Sequence, residues 1–211
     1  MIYKNNITPA LFDQLTEAGN IGAGNAATSL SAILGKKIEM KVPSVKMVSF
    51  DEMIDLAGGP EKEVAGIFLR IDGEIKGSMF FILSLPQAEA CVRLMTDNPS
   101  FSIYTTPLSK IGFSALQEIG NILSGSYLSA FSDFTGISLF PTVPSLCIDM
   151  AGAIISQGLF EVSQAGDQAI VIDTVLSSIG KKEILSIEAQ FFVLPDPDSY
   201  DRLFESLREI Q

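Results

Sequence analysis

Glu17-Ala18-Gly19-Asn20-Ile21 and Glu118-Ile119-Gly120-Asn121-Ile122 are one frame read twice, 101 residues apart. The offset continues without a gap. Gly24 falls on Gly125, Gly35 on Gly136, and Pro43-Ser44 on Pro144-Ser145. An ungapped match at a single offset marks a duplication. The two halves, about 1–100 and 101–211, are expected to make one fused domain. No Pro/Ser/Gly-rich linker separates them, and the join at 97–104 is short.

The elements follow the repeat. Thr8-Pro9 and Thr106-Pro107 read as cap-plus-proline helix starts. Apolar residues then recur at helical spacing, as Leu11, Leu15 and Leu30, and as Leu116, Ile119 and Leu123. Gly35 and Gly136 are expected to end these helices. Strands are expected at 38–50 and 137–148, followed by short helices at 51–57 and 151–157. Further strands are expected at 64–71 and 75–83, turning at Asp72-Gly73, and at 169–176 and 184–194, turning near Gly180-Lys181-Lys182. Proline-led helices at 86–95 and 197–210 close the halves. Each half is thus α-β-α-β-β-α. Three strands are too few to close a barrel. The expected fold is α+β: two such units, related by a pseudo-two-fold axis, sharing one mainly antiparallel sheet with helices packed against it.

Composition narrows the chemistry. The 211 residues are 47% hydrophobic and 18% charged, with a formal charge of −11. That is too apolar for a disordered chain. The negative balance argues against nucleic-acid or anionic-membrane partners and tolerates a partner with a basic face. The absence of His removes His-based acid–base pairs, triads and zinc sites. Cys91 and Cys147 make no disulfide framework and read as buried thiols in a reducing compartment. The most apolar stretch, 77–92, is interrupted by Ser84, Pro86, Gln87 and Glu89, so no membrane insertion is expected. The N-terminus lacks a long apolar export signal. A cytoplasmic location is expected. Gly22-Ala23-Gly24-Asn25-Ala26-Ala27 fits a loose dinucleotide-loop pattern, but a helical pattern precedes it where a strand is required.

Asp13, Glu17 and Asn20 are spaced four and three apart, so they share one helical stripe. Ser114, Glu118 and Asn121 repeat the stripe. A solvated polar face explains one copy. Two copies in register weigh against it, because Glu and Asn exchange freely on solvated surfaces. Gly19, Gly22 and Gly24 each weaken a helix by about 1 kcal/mol relative to Ala. They imply close approach, either by a packed helix or by a partner. Asn is neither acid nor base near pH 7, but it can hold a water in line with phosphorus. Glu can pair with a partner's cation.

These residues resemble a known signature, Asp/Ser-x3-Glu-x2-Asn-x22-Pro, of the CheC family of chemotaxis phosphatases, related to CheX and the flagellar switch protein FliY. It reads Asp13, Glu17, Asn20, Pro43 and again Ser114, Glu118, Asn121, Pro144. The resemblance implies dephosphorylation of phosphorylated CheY. By that resemblance Asn20 and Asn121 orient the attacking water, Glu17 and Glu118 engage the regulator's lysine, and Asp13, Ser114, Pro43 and Pro144 support them. It implies no cofactor of the protein's own, since the magnesium belongs to CheY, and it implies CheD as a second partner. The alternative it leaves open is a CheD-binding adaptor with weak catalysis; a structural part of the flagellar switch is a third reading. Two signatures in a chain that frames little else resemble the stand-alone members of the family. A monomer is expected, with the duplication supplying the symmetry internally. Unequal activity of the two sites is also expected, since Asp13 stands where the second stripe has Ser114.

Overall fold

A computed structural model describes residues 8–104, 109–161, 168–179 and 184–209 of the chain. Two 26-residue helices dominate it, α1 (Pro9–Leu34) and α4 (Lys110–Thr135). Thr8 and Pro9 open α1. Ser109 opens α4, its hydroxyl accepting from the Gly112 N–H at 3.1 Å. The expected start at Thr106-Pro107 lies outside the described residues. Gly35 and Gly136 end the two helices in the left-handed region, at φ 59° and 72°, where glycine carries no Cβ penalty.

The first half continues with β1 (Lys37–Ser49), α2 (Phe50–Leu56), β2 (Glu63–Gly73), β3 (Gly77–Ser84) and α3 (Leu85–Thr96). After α4 the second half adds β4 (Leu139–Pro141), β5 (Ser145–Met150), α5 (Ala151–Glu161), β6 (Gln168–Ile179), β7 (Ile184–Pro195) and α6 (Pro197–Arg208). The strand expected at 137–148 is therefore two strands. Pro141 and Pro144 each lack an N–H, so the ladder breaks between them. β1 carries a single proline there, Pro43, and crosses it with a register shift between Lys41 and Ser44. The β2–β3 turn also differs from the expectation. β2 runs on to Gly73, which pairs with Leu139, and Ile75 is buried in the turn instead of opening β3. The turn at Gly180-Lys181-Lys182 and the helix end at Ile210 lie outside the described residues.

The strands form one antiparallel sheet in the order β1-β6-β7-β3-β2-β4, with β5 also on β2. The order interleaves the halves. β1 of the first half pairs with β6 of the second, and β4 and β5 of the second pair with β2 of the first. The pseudo-two-fold axis falls between β3 and β7, where Phe80-Phe81 lie opposite Phe192-Phe191. Helices cover both faces. Leu11, Leu30, Leu116, Val92 and Phe204, from α1, α3, α4 and α6, share one core with the sheet. Met53 and Ile155, from α2 and α5, share the other with Phe80 and Phe192. Among the described residues no helix is long and apolar enough to cross a membrane. The Gly22–Ala27 pattern lies inside α1, with no strand before it.

The glycines divide by role. A Cβ on Gly22 would lie 2.9 Å from the Tyr127 Cα, so α1 and α4 meet there backbone to backbone. A Cβ on Gly19 would sit 3.4 Å from a Val42 methyl. Gly24 faces open space. Gly22→Ala should therefore destabilise by about 1–2 kcal/mol, overpacking outweighing its helix propensity. Gly24→Ala should stabilise by about 0.5–1 kcal/mol. Urea denaturation of the pair checks this; equal effects would contradict the assignment.

The cysteines do not behave alike. Cys91 is buried, and burial pushes its thiol up to about 12. Cys147 is exposed on β5, contrary to the expectation of two buried thiols, because β5 is an edge strand. Its thiol is nevertheless raised, by partial burial and then by Asp149. Raised thiols hold little thiolate at neutral pH. Iodoacetamide should label Cys147 slowly at pH 7, faster as pH rises, and reach Cys91 only on unfolding, as mass spectrometry can show.

Candidate functional site

The spacing of the signature is a matter of lengths. From Asn20 to Leu34 the helix advances about 21 Å. After the reversal at Gly35, β1 returns about 20 Å by residue 43. The segment before the proline therefore arrives beside the asparagine, and the second half repeats the path around Gly136. Asp13, Glu17 and Asn20 are exposed on α1, and Ser114, Glu118 and Asn121 are exposed on α4. Both stripes thus face away from the sheet, as docking there requires. Among the described residues neither Glu17 nor Glu118 forms an ion pair. Each is available to a partner's cation.

The two sites are not copies in detail. In the first, the Asn20 side chain is engaged. Its Oδ1 accepts from the Val42 N–H at 2.9 Å, and its Nδ2 donates to the Thr16 carbonyl at 3.0 Å and the Val42 carbonyl at 3.4 Å. The backbone groups freed by the β1 irregularity are thereby satisfied, and Val42 is turned inward at 4% exposure. Pro43, next along, is exposed.

In the second site, no described residue hydrogen-bonds the Asn121 carboxamide. The proline segment is held by other groups. The Gln117 Nε2 donates to the Pro144 carbonyl at 3.1 Å. The Thr142 N–H donates to the Arg70 carbonyl, and the Arg70 N–H donates to the Thr142 hydroxyl, both at 2.9 Å. Pro144 is buried, while Val143 stands 89% exposed. A hollow of about 410 Å³ opens between α4 and segment 141–144, taking in Ser114, Glu118 and Asn121.

The structure therefore gathers Glu118, Asn121 and Pro144 around one hollow, whereas in the first half Asn20 bonds Val42, the residue before Pro43. Sequence reasoning missed Gln117, Thr142 and Val143. Under the 101-residue offset Gln117 and Thr142 fall on Thr16 and Lys41, so a search for matching positions passes over them, while Val143 matches Val42 in identity and differs from it only in exposure. For Gln117 and Thr142 the signal lay in the mismatch. What the second arrangement can do is present a neutral carboxamide and a carboxylate to an incoming group.

The sequence pattern of the CheC-like family matches residues 13–47 and 111–148, which contain the two signatures. The chain is 46% identical over 203 residues to the CheY-P phosphatase CheC of Bacillus subtilis (strain 168), spanning 96% of each chain. It is 30% identical over 120 residues to the flagellar motor switch phosphatase FliY of the same organism, spanning 57% of this chain and 31% of that one. The crystal structure of Thermotoga maritima FliY shares the fold, with a TM-score of 0.74 over 100% of both chains at 22% identity. With two intact signatures on matching helices and a near-full-length relative at that identity, the chain belongs to the CheC-like family.

Proposed function

We propose that this chain is a phosphatase that hydrolyses the aspartyl phosphate of phosphorylated CheY. The observation that carries the reading is the exposed Glu118/Asn121 pair, its carboxamide unbound beside an open hollow. The near-full-length relative named as a CheY-P phosphatase supports it. Water attacks phosphorus, the P–O bond to the aspartate breaks, and the aspartate leaves as a carboxylate. Phosphoryl transfer passes through a loose transition state, so positioning the water is what a carboxamide contributes. The Glu carboxylate binds a cationic side chain of the regulator. The magnesium, as the resemblance implies, comes with CheY, and the chain supplies no cofactor.

The test is phosphate release from CheY phosphorylated with acetyl phosphate. The Asn20→Ala/Asn121→Ala double variant should lose at least about tenfold in rate, and undiminished release would overturn the role of the asparagines. A cytoplasmic monomer belongs to the same proposal, and light scattering checks the monomer. CheD binding rests on the resemblance alone. Retention of CheD in a pull-down, together with negligible phosphate release, would make the chain an adaptor instead.

A further inference from the structure

We propose that Gln117 is a positioning residue for the second site: by holding the Pro144 carbonyl it keeps Val143 turned out as part of the docking face and leaves Asn121 unbound. The inference rests on the phosphatase reading and adds the device that makes one of two matching signatures ready to act.

The argument compares equivalent positions. Both halves must satisfy the backbone of a proline-broken segment that passes beside the long helix. In the first half Asn20 itself does so, bonding both backbone groups of Val42. An asparagine so occupied has both N–H groups and one Oδ1 lone pair engaged, which leaves no N–H to orient water. Its neighbour at the equivalent of Gln117 is Thr16, whose short side chain turns back on its own helix and donates to the Phe12 carbonyl at 2.7 Å. In the second half the longer Gln117, one turn before Asn121, reaches across to Pro144 at 3.1 Å. The tethering task passes to a residue outside the signature, and the Asn121 carboxamide stays open to the hollow.

The tether also sets the surface. Val143 is 89% exposed, whereas Val42 is buried at 4%. Ile111, one turn before Ser114, is 69% exposed, and its counterpart in α1 is Ala10. Apolar side chains flanking a carboxylate and a free carboxamide fit a protein substrate with an apolar rim around its phosphoryl group. The first site offers no such rim at these positions.

The experiment compares steady-state phosphate release from acetyl-phosphate-treated CheY by the parent chain, Gln117→Glu, Gln117→Ala, and Thr16→Gln in the Asn121→Ala background. Glutamate keeps the shape of Gln117 but cannot donate at pH 7. Gln117→Glu and Gln117→Ala should each lower kcat at least fivefold with KM changed less than kcat while the chain stays fully folded at the assay temperature by circular dichroism, a split that loss of folding would not give. Thr16→Gln should speed hydrogen exchange at the Val42 N–H and raise the residual rate of the Asn121→Ala chain severalfold. A kcat within twofold of the parent in both Gln117 variants overturns the proposal. So does faster Val42 exchange in Thr16→Gln with no gain in rate. The Asn20→Ala/Asn121→Ala chain separates the two levels. If it keeps full activity, the phosphatase role of the asparagines fails. If it is inactive while the Gln117 variants are not, only the positioning role fails.

Discussion

Asn121→Ala should lower phosphate release from phosphorylated CheY about tenfold or more, while Asn20→Ala should remove less than half of it. Taking away one oriented polar group from a phosphoryl-transfer or acyl-transfer site lowers kcat by about 100- to 1000-fold, and the smaller whole-chain figure allows for turnover at the first site. The inequality follows from what each side chain already does. Among the described residues nothing bonds the Asn121 carboxamide, and Asn20 holds Val42 by both backbone groups. Stability should show the reverse order. Asn20→Ala leaves the Val42 N–H without its partner, which costs about 1 kcal/mol. Asn121→Ala removes no protein hydrogen bond and should be neutral. Phosphate release and urea midpoints measured on both single variants decide the matter. A larger activity loss in Asn20→Ala than in Asn121→Ala would sink this assignment of the two sites.

Phe191→Ala should destabilise the chain by about 3–5 kcal/mol. Phe191 is fully buried on β7, next to the seam between the halves. Its ring stacks on Phe81 at 4.5 Å and 21°, and meets Tyr127 of α4 at 4.8 Å and 54°. One side chain thus joins β7, β3 and a long helix. Native stabilities are about 5–15 kcal/mol, so a loss of this size takes much of the margin. The interleaved strand order makes a further demand. Neither half's strands are contiguous, since β6 and β7 separate β1 from β3 and β2, so unfolding should remain a single transition that moves to lower urea as a whole. Two separate transitions by fluorescence and circular dichroism would contradict the interleaving.

Much of this was legible in the residues. Apolar spacing located α1 and α4, and the proline and glycine punctuation located most boundaries within a residue or two. Side-chain periodicity and turn chemistry act over a few neighbours, which is why a sequence displays them. The boundaries that moved were decided by distant partners. β2 extends to Gly73 because β4 pairs with it, and the 137–148 strand breaks where two prolines meet a neighbour that bonds Thr142 in their place. Residue type alone predicts Cys147 to be buried, as cysteine usually is, and β5's place on the sheet edge reverses that.

The candidate site divides in the same way. The sequence by itself determined that there are two Glu/Asn stripes, that each lies on one helical face, and that a proline follows each asparagine at the same spacing. Those are matters of helical period and chain length, and they hold in both halves alike. Only the tertiary structure decided that the two asparagines differ in their hydrogen bonds. A hydrogen bond across 22 residues, from Asn20 to Val42, and another across 27, from Gln117 to Pro144, depend on how a strand with one proline or two settles beside its helix. The duplicated signature is identical at Glu and Asn, and it is the backbone of Val42 in one half and the side chain of Gln117 in the other that set how each asparagine is bonded.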